Sequence, residues 1–214
     1  MDPRRIDDRI AWAGNRAARH VGTQADAFRP SGSAMPLSPR NRYLRLPALF
    51  SAAPTSFNHT MGYGTAVCYG HFDASYTRPG DYLVQEGRVY FIASQERLQP
   101  VLCVRTNAEL TIRRSVPASV IGSGGYGGVS TDDTATILHA WPGSVLGMAT
   151  GGTSQAGLPV DTTLPQWTVL LPSCGTAIVR SGDNVTDANN LKAVVVSSER
   201  TSLGWRLTVR QVST

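Results

Sequence analysis

RPGDYLVQEGRVYFIASQERLQPVLCVRTN, residues 78–107, and RSGDNVTDANNLKAVVVSSERTSLGWRLTVRQ, residues 180–211, carry one pattern twice. Arg180, Gly182 and Asp183 stand 102 residues after Arg78, Gly80 and Asp81. Past a one-residue insertion, Glu96-Arg97 aligns with Glu199-Arg200. Each copy reads as strand, turn, strand, polar corner, strand. Gly-Asp suits a tight entry into a strand. Gln85-Glu86-Gly87 and Asp187–Asn190 hold residues that tolerate positive φ, as hairpin loops require. Val, Ile, Tyr and Phe dominate the runs between them. Such meanders bury their apolar faces by curling into small barrels or by packing as a sandwich. A duplicated module and two independent β-meanders obeying the same turn chemistry both produce this pattern.

Outward from the repeat, strand-like runs continue at GTAVCYGHF (64–72), ELTIRRS (109–115) and QWTVLLPS (166–173). A strand is expected around 135–141, followed by a short helix around 142–147. Gly-rich runs at 123–128 and 151–157 read as loops. The fold class expected is mainly β: two related small barrel or meander modules after a short N-terminal helix and an extended Pro-rich arm. The boundaries expected are 1–58 for helix and arm, 59–122 for the first module, 123–160 for Gly-rich loops with a connecting strand, and 161–214 for the second module.

The arm rests on two readings. Ile6, Ile10 and Ala13 share one face of a helix over 4–19, with Asp2 as cap and Gly22 as stop. Pro30, Pro36, Pro39, Pro47 and Pro54 then hold their preceding residues extended. That segment also carries Tyr43, Leu44, Leu46, Leu49 and Phe50, which solvent would waste. With Ile6, Ile10 and Trp12 they form the expected interface, and the arm is expected to order on a neighbouring subunit.

Charge points the same way. The formal net charge of the 214 residues is +5. Residues 1–50 hold nine arginines and four aspartates, which accounts for all of it. The remainder balances eleven basic against eleven acidic groups. Charged residues are 16% of the chain, against roughly 25% in an average domain. With 21 Gly and 13 Pro, a helical bundle or coiled coil is excluded. No apolar run approaches the roughly 20 residues of a membrane-spanning helix, and no secretory leader is legible.

Catalytic constellations are not legible either. His20, His59, His71 and His139 are scattered, and no HExxH, GxSxG or phosphate-loop lysine occurs. Cys68, Cys103 and Cys174 lie in apolar contexts without metal spacing and read as small buried hydrophobes. Trp141, Trp167 and Trp205 read as core; Trp12, on the helix, reads as an interface anchor. No enzyme activity and no cofactor are expected.

FDASYTRPGDYLVQEGRVYFIASQERLQPVLCVRTN and the ending SGDNVT…VVVSSERTSLGWRLTVRQ resemble structural proteins of tailed bacteriophages. The ending is similar to the β-barrel of head-closure and head–tail joining (neck) proteins, in which a Gly-Asp strand entry precedes a hydrophobic strand, a polar corner and a final Gly-Trp-x-Leu strand. RRIDDRIAWAGNRAARHVG followed by NRYLRLPALF resembles the start of phage virion proteins. The resemblance implies a ring-forming head–tail connector, an adaptor or closure subunit between portal and tail that lines part of the DNA passage. Its partners would be copies of itself, portal, tail or neck subunits, and genomic DNA by non-specific proximity, with no membrane. Its location would be the virion, assembled in the bacterial cytoplasm. Alternatives are a tail hub or nozzle subunit, a capsid-decoration protein, or a surface- or carbohydrate-binding module using Tyr63, Tyr69, Tyr76 and Tyr126.

Overall fold

Glu86 and Gly87 sit at φ 50° and 75°, the left-handed pair that a two-residue hairpin of this twist demands. They join strand β4 (Tyr82–Gln85) to β5 (Arg88–Ser94). In the second copy, Asn190 at φ 64° closes the turn between β10 (Asn184–Asp187) and β11 (Lys192–Thr201). The structure, a computed structural model, describes residues 3–52, 66–97, 99–115, 134–147, 165–173, 175 and 177–212.

The remaining elements are α1 (Pro3–Val21), β1 (Thr23–Phe28), β2 (Arg42–Ala52), β3 (Val67–His71), β6 (Val101–Arg105), β7 (Ala108–Ser115), β8 (Thr134–Gly147), β9 (Gln166–Leu171) and β12 (Gly204–Gln211). They close into two antiparallel barrels, ordered β1-β2-β3-β6-β5-β4 and β7-β8-β9-β12-β11-β10 around their rings. The two orders are the same order, with β1 to β6 replaced in turn by β7 to β12. The repeat legible in the last three strands of each barrel therefore extends to all six. The mainly-β, two-module class stands.

The unit boundaries differ from those expected. Residues 23–52 are not an arm: they supply β1 and β2 to the first barrel. Pro30, Pro36 and Pro39 fall in or beside the β1–β2 connection, not in a free tail. Pro47 lies on β2, where β3 does not yet pair; that pairing begins at Leu49. ELTIRRS, placed in the first module by sequence, is β7 and opens the second barrel by pairing with β8 and β10. The helix expected around 142–147 is instead the end of β8. There Ala140, at φ 53°, makes a bulge that lets Trp141 and Pro142 re-enter the ladder. The Gly-rich runs at 123–128 and 151–157 lie outside the described residues.

The apolar run of β5 explains how the barrels join. Tyr82, Phe91 and Val104 face a core shared with Leu110, Trp141, Val169 and Leu207 of the second barrel. Leu83, Ile92 and Cys103, one step along each strand, face the first barrel's interior with Ala25, Ala27, Leu46 and Ala48. Strands β4 to β6 are thus buried on both faces, so they read as continuous rather than alternating hydrophobics. Burying a side chain of this size is worth about 1.5–3 kcal/mol.

Polar contacts lock the joint. Tyr82 packs edge-on against Trp141 and donates its hydroxyl to Pro142 O at 2.8 Å. Trp141 Nε1 and the His139 amide both donate to Ser33 O in the β1–β2 connection. The two-residue linker is clamped at each end. The Thr106 amide donates to Val89 O of the first barrel, and the Asn107 amide to Gly143 O of the second.

Candidate interaction surface

Helix α1 lies on the wall of the first barrel against β2 and β3. Its end is set by Gly22, whose amide closes the helix on Ala18 O at 2.9 Å. A Cβ at Gly22 would stand 2.3 Å from Ala48 O, so only glycine lets the helix leave the barrel this closely.

Three faces follow from the helical repeat. Ala11, Gly14, Asn15 and Ala18 turn toward the barrel, where Ala18 is fully buried and Asn15 Nδ2 donates to Asp73 at 3.4 Å. Ile10, Ala13 and Ala17 border a groove of about 630 Å³ whose far wall includes Phe72, Ala74 and Val101. Arg9, Trp12, Arg16 and Arg19 point outward, all exposed. At ~100° per residue they fall within an arc of about 80°. Trp12 is 61% exposed, and the Arg16 guanidinium lies 5.2 Å from its ring centre.

The eight residues expected at the interface are separated by the fold. Ile10 and Trp12 stay exposed and Ile6 is half-buried, all on α1. The other five belong to the first barrel's wall. Leu46 is interior, and Leu44 and Phe50 pack against that interior. Phe50 also stacks on Tyr90 with ring centres 3.8 Å apart. Leu49 is half-buried opposite His71. Tyr43 donates its hydroxyl to Asp81 Oδ2 at 2.7 Å and lies under the Arg29 guanidinium. Burial, first, and then that hydrogen bond raise its pKa well above the usual tyrosine range.

Asp81 and Asp183, the aspartates of the repeat, turn out to be the centres of two matching clasps. Each carboxylate is almost fully buried. Arg29 grips Asp81 through Nε at 3.0 Å and Nη2 at 2.8 Å, and also donates to Tyr76 O. Arg114 grips Asp183 through Nε at 2.7 Å and Nη2 at 2.9 Å, and also donates to Ile178 O. The amides of Arg78 and Arg180 complete the two sets. Gly80 and Gly182, at φ 95° and 90°, make the turns that aim those amides. Both turns open onto a cleft of about 850 Å³ at the barrel junction, floored by Trp141. The clasps tie the end of the first strand of each barrel to the entry of its fourth, and so seal the ring.

Of the tryptophans read as core, Trp141 and Trp205 are buried and Trp167 is half-buried. Ser51 Oγ and His71 Nε2 lie 3.1 Å apart, a pair invisible in the sequence. A nucleophile–base pair needs a third group to orient the imidazole. Among the described residues nothing is hydrogen-bonded to the other ring nitrogen of His71. No three His, Cys, Asp or Glu side chains gather as a metal site among the described residues. No described helix is long and apolar enough to cross a membrane. His59, Tyr63, Tyr126 and Cys174 lie outside the described residues.

Cys68 and Cys103 face each other across β3 and β6 as free thiols. Burial pushes Cys68 up to about 11 and holds Cys103 well above the ordinary thiol range. Roughly one Cys68 in a thousand is then thiolate at pH 8. In a Cys174→Ser background, thiol labelling should be slow at pH 8 and rise about tenfold per pH unit toward pH 10. Cys103 should stay unlabelled until denaturation. Rapid modification of both at pH 7 would contradict this burial.

No family model, no curated protein and no solved structure matches the chain.

Proposed function

We propose that the chain is a non-enzymatic structural subunit of a tailed-phage particle, most consistent with a ring-forming connector between head and tail. The observation that carries this reading is the tandem: two closed barrels of identical strand order, fused through one core, with the amphipathic basic helix outside both. Closed barrels leave no strand edge for a partner to extend. Association then falls to side-chain surfaces and to α1. Ring closure uses head-to-tail contacts between unlike surfaces of identical subunits, which the side chains on the barrel walls supply, leaving α1 for a further partner. Residues 23–214, which include both barrels, hold fifteen basic and twelve acidic groups, a small excess that suits a wall beside DNA, because a strongly basic wall would hold the phosphates it must let pass.

Immunogold labelling of purified tailed particles with antibody against the full chain tests the reading. Label at the neck, with the chain present at ring stoichiometry, is expected. Absence of the chain from washed, infectious particles would contradict it. Label on the capsid faces would favour a decoration role.

A further inference from the structure

We infer that the groove between α1 and the first barrel is a docking site for an acidic, amphipathic segment of a different protein chain. The inference deepens the reading of α1 as the docking element and does not depend on which particle contains it.

Two surfaces meet along this helix. Ile10, Ala13 and Ala17 form one wall of the groove, and Phe72, Ala74 and Val101 contribute apolar surface to the other; Asp8, Glu96 and Arg97 also line it, so the basic excess lies on the exposed flank of the helix and not inside the groove. Its volume of about 630 Å³ accommodates several side chains of an inserted helix or strand. On the solvent side of the same helix stand Arg9, Arg16 and Arg19, which span about 15 Å of axis. None of the three has a salt bridge among the described residues. A segment lying in the groove would bury its apolar face and bring its flank beside these guanidiniums, which favour carboxylates in bidentate geometry. Trp12, exposed between Arg9 and Arg16, has the size and position of an interfacial anchor.

The occupant is defined by charge and shape. A second copy's α1 carries the same arginines and would meet like charge. Nucleic acid matches the arginines but cannot fill an apolar groove, and its affinity would not depend on Ile10. An acidic segment with an apolar face satisfies both surfaces at once.

The test uses the full chain and two fluorescein-labelled helical peptides. One has leucines on one face and glutamates elsewhere; its twin has lysines in place of the glutamates. Fluorescence anisotropy should show the glutamate peptide binding about tenfold tighter than its twin, or better. Ile10→Asp and the double variant Arg9→Glu/Arg16→Glu should each lose about tenfold. Circular dichroism should show both variants folded, since these side chains are exposed. Equal affinity for the two peptides, or no loss in either variant, would overturn the inference. So would tighter binding of a short DNA duplex, or self-association by sedimentation that Ile10→Asp abolishes. Peptide binding in a chain that is absent from particles would sink the virion reading and leave the groove standing. The reverse outcome would do the opposite.

Discussion

Arg114→Ala should be among the most destabilising single substitutions outside the apolar core. It strips two charge-assisted bonds from a carboxylate that is 1% exposed, leaving Asp183 only the Arg180 amide among the described residues. Removing one partner of a buried pair costs about 3–5 kcal/mol, because the other charge stays buried without compensation. Arg114 is partly open to water, which places the expected cost near about 3 kcal/mol. For a chain of this length that is a fall in Tm of about 6–12 °C. Arg29→Ala should cost less, although its geometry is nearly the same. Asp81 would keep the Tyr43 hydroxyl, the Arg78 amide and the Arg78 guanidinium at 3.8 Å. The double variant Arg114→Ala/Asp183→Ala should recover part of the loss, since it removes the stranded charge. Calorimetry on the four proteins decides it. An unchanged Tm for Arg114→Ala, or a larger loss for Arg29→Ala, would refute the clasp as the seal of the second barrel.

Deleting residues 1–50 should unfold the first barrel, whereas deleting 1–21 should leave both barrels intact. The longer deletion removes β1 and most of β2, two of six strands in a closed ring. With them go Ala25, Ala27, Leu46 and Ala48 from the interior, and Arg29 and Tyr43 from the Asp81 clasp. It also removes Ser33 O, to which Trp141 and His139 donate across the junction, so the second barrel should lose stability too. The shorter deletion removes a helix that meets the barrel through small side chains. Circular dichroism and amide exchange on the two truncations would show the contrast. A folded 51–214 fragment with protected amides in β4 to β6 would show that residues 23–50 are dispensable after all.

These results mark where the sequence was readable. Arg-x-Gly-Asp stands out because one short turn fixes several backbone angles and places a carboxylate, so little else can occupy it. The partners of those aspartates were not readable. Arg29 and Arg114 lie 52 and 69 residues away from them, and TQADAF and AELTIRRS share no motif. A barrel wall asks its strands only for a suitable face, and many sequences satisfy that. The proline count from Pro30 to Pro47 suggested an extended arm because the β1–β2 connection and the strands beside it are indistinguishable in composition from a free tail. Burial separates them, and burial depends on partners distant in the chain. The outward stripe on α1 was present in the spacing of 9, 12, 16 and 19. Counted along the chain the arginines look dispersed. Wound on a helix, they align with Trp12 between them.

The central claim is that the barrels form a rigid ring-building body and that α1 with its groove joins it to an acidic neighbour. A cryo-EM reconstruction of the intact particle tests this most directly. It should show the paired barrels repeated around a closed ring at the neck, with α1 at a subunit boundary. An acidic segment of another protein should fill the groove beside Ile10, with carboxylates facing Arg9 and Arg16. A particle map that lacks the chain, or that shows it with the groove empty and α1 turned to solvent, would contradict the account.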